Sequence, residues 1–385
     1  MRHFDYYQPT EIHFGSGRLN EIGKNVATFG KRCLLVTVEG GPLETVFNRV
    51  KGYLKEEGVE VFHFNKVIPN PTTHIVNEGA RMASGNKVDV VLGVGGGSSM
   101  DTAKAISVGA THEGEAWDYR LFSNKKITEK RLPILAVSTT SGTGSQVTPV
   151  SVVTNSDKKS KFAIVDPLLF PSISVVDPEI MMTVPTHITA STGFDVFAHS
   201  FESYIHSDAS PYTDLLAEEA IKTVVEYLPK VLDNGKDKVA REKMAWADTL
   251  AGLCIANAGT TLPHGIGMAI GGHAPNVMHG EALSVMYPEF AEYTYQSAVD
   301  KFATIAAFFN PALRNKTKDE AAKAFKDEIT GFLKDIGMFF TLSELKVPER
   351  ELSAIADDSV KLPDYKVNPR VATRDEIFQM LKNRF

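Results

Sequence analysis

Apolar positions in the first half of the chain switch repeatedly between two periods. Arg32–Val38 (RCLLVTV) is a short, nearly unbroken run of apolar and β-branched residues, the pattern of a parallel strand buried on both faces. Leu43, Val46, Phe47, Val50 and Leu54 then recur at helical spacing, and Gly58 interrupts them. Val59–Phe64 predicts a second strand, and Thr72–Ser84 a helix with Ile75, Val76, Gly79, Ala80 and Ala83 on one side. Val88–Val94 predicts a third strand that runs into Gly95-Gly96-Gly97-Ser98, followed by a helix from about Ser99 to Val108. Later short strands are predicted at Ile134–Val137, Val150–Thr154, Lys161–Val165 and Ile173–Val176. Strands alternating with helices imply a parallel, wound α/β sheet. The polar, irregular segment His112–Arg131 reads as a surface excursion.

The pattern changes near Pro185. Ile188–Ile205, Pro211–Leu228, Lys238–Ala258, Glu281–Gln296, Lys301–Phe309 and Lys318–Ile336 all carry helical spacing, and no strand pattern stands out among them. Thr317 with Glu320 three residues on fits a capping box that starts the last of these. The expectation is an α/β domain over residues 1–184 and an all-α domain over 185–385.

Composition narrows the classes of function. With 43% hydrophobic and 23% charged residues, the 385-residue chain is an ordinary globular protein, which excludes disorder and fibrous repeats. A net charge of −6 and the lack of a Lys/Arg block argue against a nucleic-acid partner. No apolar run reaches the roughly 18 residues of a membrane span. The N-terminal MRHFDYYQPTEIHFGSG has no apolar core of a secretory signal. The two cysteines, Cys33 and Cys254, lie far apart in apolar surroundings and read as packing thiols, so a cytoplasmic location is expected.

Three clusters carry candidate chemistry. GGGSSMDTAK, residues 95–104, places glycines at a strand-to-helix turn, where free N–H groups and the helix dipole favour a phosphate. Ser98-x-x-Asp101 also fits a capping box there. Ser138-Thr139-Thr140-Ser141-Gly142-Thr143-Gly144-Ser145, after another strand, offers hydroxyls and unhindered amides to ribose and pyrophosphate oxygens; a plain turn would have a similar composition. Of the 11 histidines, six fall between His187 and His279. Asp195 and His199 are spaced i, i+4 on one helix face, the pattern of an ion pair or of two metal ligands. His264 and His279 flank a glycine-rich stretch, with His273 competing for either place. One carboxylate and three imidazoles suit a divalent transition metal.

Taken together, these residues resemble the iron-containing, group III alcohol dehydrogenases. Phe14-Gly15-Ser16-Gly17, Asn70-Pro71-Thr72, GGGSSMDTAK, STTSGTGSQVT, Thr189–Glu202, His279-Gly280-Glu281-Ala282 and Asn368-Pro369-Arg370 fall in the family's order nearly end to end. The resemblance implies an N-terminal dinucleotide-binding α/β domain with a parallel wound sheet and an all-α C-terminal domain, a dehydroquinate synthase-like architecture. It implies metal ligands at Asp195, His199, His264 and His279, holding Fe2+ or Zn2+. Gly96, Gly97, Ser98 and Asp101 would lie along the pyrophosphate, Thr139, Thr140 and Thr143 along the adenine and ribose, and Ser145 and Lys161 toward the nicotinamide. The implied reaction is hydride transfer between NAD or NADP and a small primary alcohol or aldehyde, in a homodimer or higher homo-oligomer. A zinc polyol dehydrogenase or a dehydroquinate-synthase-like lyase would share the scaffold.

The chain departs from the family pattern at informative places. Where many members carry a second histidine four residues after the third ligand, this chain has Met268, which cannot relay a proton; His273 is the candidate substitute. Val38 stands where many NAD-preferring members have an aspartate. Glu39 could supply that carboxylate, which leaves NAD and NADP both open. Phe194, Phe197, Phe201, Met268 and Met278 suggest either an apolar substrate wall or ordinary core packing.

Overall fold

The computed structural model describes residues 3–385. The chain divides into two compact units, one of residues 8–184 with 236–245, the other of residues 185–235 and 246–385 together with 3–7.

The first unit is built on a six-stranded, all-parallel sheet. Its strands are β1 (Glu11–Phe14), β2 (Arg32–Val38), β3 (Glu60–Val67), β4 (Val90–Gly95), β5 (Ile134–Ser138) and β8 (Ile173–Val176), in the order β1-β8-β5-β4-β2-β3. Helices α1 (Ile22–Ala27), α2 (Glu44–Glu56), α3 (Thr73–Gly85) and α4 (Gly97–Gly109) connect them. Because both faces are covered, side chains of β2 alternate between two cores. Cys33 and Leu35 pack with Val46, Phe47 and Val50 of α2, while Leu34 and Val36 pack with Val76 of α3 and Ile106 of α4. Strand order reverses between β2 and β4, which makes the carboxyl ends of these strands the topological switch point, the usual ligand crevice of open α/β sheets.

Two expectations are corrected here. The strands β6 (Val150–Asn155) and β7 (Ser160–Val165) do not join the parallel sheet but form an antiparallel pair of their own. Only a few residues separate them, too few for a parallel crossover, so a hairpin is what the chain can make. The segment 112–131 is not a mere surface excursion. Trp117, Tyr119 and Ile127 are buried in the core beside α3 and α4, anchored by a short 3-10 helix at Ala116–Tyr119.

The second unit contains the helices α5 (Thr186–Ile205), α6 (Pro211–Asp233), most of α7 (Lys238–Asn257), α8 (Leu262–His273), α9 (His279–Thr294), α10 (Val299–Phe309), α11 (Lys318–Asp335), α12 (Leu352–Ser359), α13 (Asp364–Val367) and α14 (Arg374–Asn383). The Thr317–Glu320 capping box starts α11 as expected. The core is aromatic. Phe194, Phe197 and Phe201, one stripe of α5, pack with Tyr287 and Phe290 of α9, Phe302 of α10 and Phe325 of α11 at centroid distances of 4.8–6.3 Å. These three phenylalanines have no exposed surface, so they are interior packing and not the substrate wall their sequence position suggests.

Candidate metal and dinucleotide sites

Helix α5 carries two functional faces. Beside its phenylalanine stripe, Asp195 and His199 stand one turn apart, and both are buried. His264 projects from the first turn of α8, and His279 opens α9. Gly280 lets α9 start there. A Cβ at that position would lie 2.0 Å from the Ser191 carbonyl oxygen of α5, a contact no side chain can make.

Three imidazole nitrogens converge on one carboxylate oxygen. His264 Nε2 lies 3.6 Å from Asp195 Oδ1, His199 Nε2 3.7 Å and His279 Nε2 4.0 Å. The His199 and His264 rings stack at 4.6 Å, and His279 meets His264 edge-on at 5.2 Å. Ligand atoms about 2.1 Å from a shared ion at tetrahedral angles sit about 3.4 Å apart, so the spacing suits a coordination shell and is too long for hydrogen bonds. Asp195 Oδ1 and His264 Nε2 are buried and have no hydrogen-bond partner. Orphaned polar atoms of this kind are costly unless something satisfies them. Asp195, His199 and His264 form the tight group, with ligand atoms within 4.8 Å of one another, and His279, its side chain 24% exposed, closes the rim.

Charge agrees with geometry. Burial works to raise the Asp195 carboxyl, yet the surrounding His199, His264 and His279 hold it down at about 2. Burial works to lower His264, yet the Glu202 and Asp195 carboxylates raise it to about 10. Two buried carboxylates thus draw a positive charge into the site, and His264 holds a proton where no other cation neutralises them. The residues present fit a divalent cation.

Glu202, to which the sequence pattern assigns no role, belongs to this site. It lies on the same face of α5 at i+7 from Asp195, a spacing that could have revealed it. Its Oε1 is 2.8 Å from His264 Nδ1. His273 is not brought to the cluster. It lies nine residues beyond His264, about two and a half turns along α8 and so on the opposite face. Its ring nitrogens are held by Glu351 at 2.8 Å and Asp358 at 2.9 Å. Met268, one turn after His264, is half-buried.

In the first unit, Gly95, with φ +154, turns the chain from β4 into α4. Gly96 and Gly97 approach the second loop so closely that a Cβ on Gly97 would lie 2.6 Å from Thr143 Cγ2, and one on Gly96 3.0 Å from Thr140 Oγ1. The loop Thr139–Ser145 is therefore gathered around the start of α4, whose first N–H groups have no intrahelical acceptor. Ser98 is half-buried there, and Thr139 Oγ1 is buried without a partner. Glu39 is exposed at the carboxyl end of β2, across the switch point from these glycines.

The capping box expected from Ser98 and Asp101 does not form: Asp101 does not cap α4, whose N-cap is Gly96. Its Oδ1 accepts from Ser145 Oγ at 2.7 Å and its Oδ2 from the Val152 N–H at 2.9 Å. Ser145 Oγ also accepts from Lys104 Nζ at 2.8 Å, so Asp101, Ser145 and Lys104 brace the loop from beneath. Lys161, on β7, donates to Asn70 Oδ1 at 2.9 Å.

Comparison with known proteins places both units. Residues 9–178 match the model of the iron-containing alcohol dehydrogenases, and residues 189–385 that of the C-terminal part of the same family. The chain is 38% identical to the choline dehydrogenase of Bacillus subtilis over 96% of its own length and 92% of the relative's. It is 32% identical to the NAD-dependent methanol dehydrogenase of Bacillus methanolicus, covering 98% and 99%. An archaeal halo-thermophilic alcohol dehydrogenase from a Red Sea brine pool superposes with a TM-score of 0.96 at 34% identity, over 100% of both chains.

Proposed function

Because the chain belongs to the iron-containing alcohol dehydrogenase family, we propose that it interconverts a small primary alcohol and its aldehyde with a nicotinamide dinucleotide and a divalent cation, iron or zinc. The observation that carries this reading is the convergence of His199, His264 and His279 on Asp195 Oδ1. When bound, the cation supplies Lewis acidity toward the substrate oxygen and the nicotinamide supplies or accepts the hydride.

The chain's own residues bind and orient. Asp195, His199, His264 and His279 hold the cation, and the burial of the first three keeps water from competing for it. Gly96, Gly97 and Ser98 bring the start of α4 against the pyrophosphate, with Thr139, Thr140 and Thr143 alongside. Lys161 serves the nicotinamide side, while Asp101 and Ser145 act from behind the loop. Glu39 binds the ribose hydroxyls and repels a 2′-phosphate, which favours NAD. The methanol dehydrogenase relative, named as NAD-dependent, supports the same choice.

Replacing Asp195 or His199 by alanine is expected to abolish bound metal and turnover together, leaving the circular dichroism spectrum and dinucleotide binding close to wild type. Full activity in metal-free enzyme would overturn the reading. Anaerobic assays with Fe2+ and with Zn2+ across short-chain aldehydes, each with NADH and NADPH, test metal and cofactor choice. Equal rates with NADPH would remove the role given to Glu39.

A further inference from the structure

Glu202 has no exposed surface, and a buried carboxylate must be satisfied by its neighbours. Its two oxygens do different things. Oε2 accepts from the Thr261 N–H at 2.9 Å, and the His264 N–H lies 3.4 Å away. Thr261 is the N-cap of α8 but caps it with no side-chain bond of its own, so Glu202 of α5 takes donors at the start of α8. Oε1 lies 2.8 Å from His264 Nδ1 and also receives the Tyr287 hydroxyl at 3.3 Å. A carboxylate oxygen can only accept, so the proton between them sits on Nδ1, and a neutral imidazole then carries its lone pair on Nε2. That nitrogen is the one 3.6 Å from Asp195 Oδ1.

Resting on the metal-dependent reading above, we propose that Glu202 is a positioning residue for the metal: it fixes the tautomer and the ring plane of His264 so that Nε2 faces the cation. The face of α5 then supplies two ligands, Asp195 and His199, and at i+7 the residue that aims the third ligand from another helix. Outer-shell carboxylates of this kind typically change metal affinity by about 10–100-fold when removed.

The test is Glu202→Gln in the full chain, stripped with a chelator and titrated with Co2+ by visible absorption. A single amide cannot accept from both His264 Nδ1–H and the Thr261 N–H. The Co2+ dissociation constant is therefore expected to rise about 10–100-fold while far-UV circular dichroism stays unchanged. A constant within threefold of wild type, whatever happens to the melting temperature, would show Glu202 to be only a helix cap and would overturn the proposal. Should the variant not fold, 15N-histidine NMR of the zinc-loaded wild type decides, with the His264 signals assigned by their loss in His264→Gln. Protonated Nδ1 with metal on Nε2 supports the proposal, and metal on Nδ1 overturns it. Wild-type chain that takes up neither Co2+ nor Zn2+ overturns the metal-dependent reading itself, and this inference with it.

Discussion

A lysine with no exposed surface has to be given nearly every hydrogen bond it can make. Lys104 Nζ donates to the carbonyls of Ser145 at 2.7 Å, Thr148 at 2.9 Å and Val150 at 2.8 Å, besides Ser145 Oγ. Burial lowers its pKa to about 8 against the pull of Asp101. Lys104→Met would strand several buried acceptors and leave Asp101 without its cation. A loss of about 3 kcal/mol in urea unfolding is expected, since breaking a buried pair costs that order. Dinucleotide binding should weaken with it, while Co2+ affinity stays unchanged; a variant as stable as wild type would remove the bracing role. The sequence displays Lys104 inside a recognisable motif but cannot say what it does, because its partners lie 41 to 46 residues away. The same blindness applies to Asp101. Its spacing from Ser98 fits a capping box locally, and the tertiary bonds to Ser145 and Val152 outweigh that local option.

At the scale of the element, period is legible in the sequence and partner is not. The i, i+4 spacing of Asp195 and His199 by itself puts two candidate ligands on one helix face. The helix that presents His264 is hidden. Gly265, Gly267, Gly271 and Gly272 each lower helix propensity, so α8 is missing from the helices that spacing predicts. Packing explains two of them: a Cβ on Gly267 would come within 3.0 Å of Leu283 of α9, and one on Gly265 within 3.2 Å of Asp364. Small residues let these helices approach closely, and that approach sets where His264 and His279 stand. Gly280→Ala tests this directly. Its methyl would collide with the Ser191 backbone, so a destabilisation of about 1–3 kcal/mol is expected from overpacking. His279 should be pushed from Asp195, which a weakened Co2+ titration would reveal; unchanged affinity would mean that the start of α9 has room to move.

The two units of the whole molecule hold different halves of the candidate chemistry. Every proposed metal ligand lies in the second, and every proposed dinucleotide contact in the first. Ligands that bind only the folded state stabilise it by mass action, by about 2.7 kcal/mol at a hundred times the dissociation constant. Hydrogen exchange should show where that stabilisation goes. Zn2+ is expected to slow exchange in α5, α8 and α9, and NADH in β4, α4 and the loop at 138–145. Protection by Zn2+ confined to residues 8–184 would contradict the assignment of ligands. The sheet carries one more consequence, for the order of events in folding. Among the described residues β1 pairs only with β8, and Asp177, just after β8, accepts from the N–H groups of Gly17 and Leu19, about 160 residues earlier in the chain. On a ribosome β1 therefore emerges before the other strands of its sheet and is seated last. It must wait for about 160 further residues to be synthesised, and then close the longest loop in the sheet.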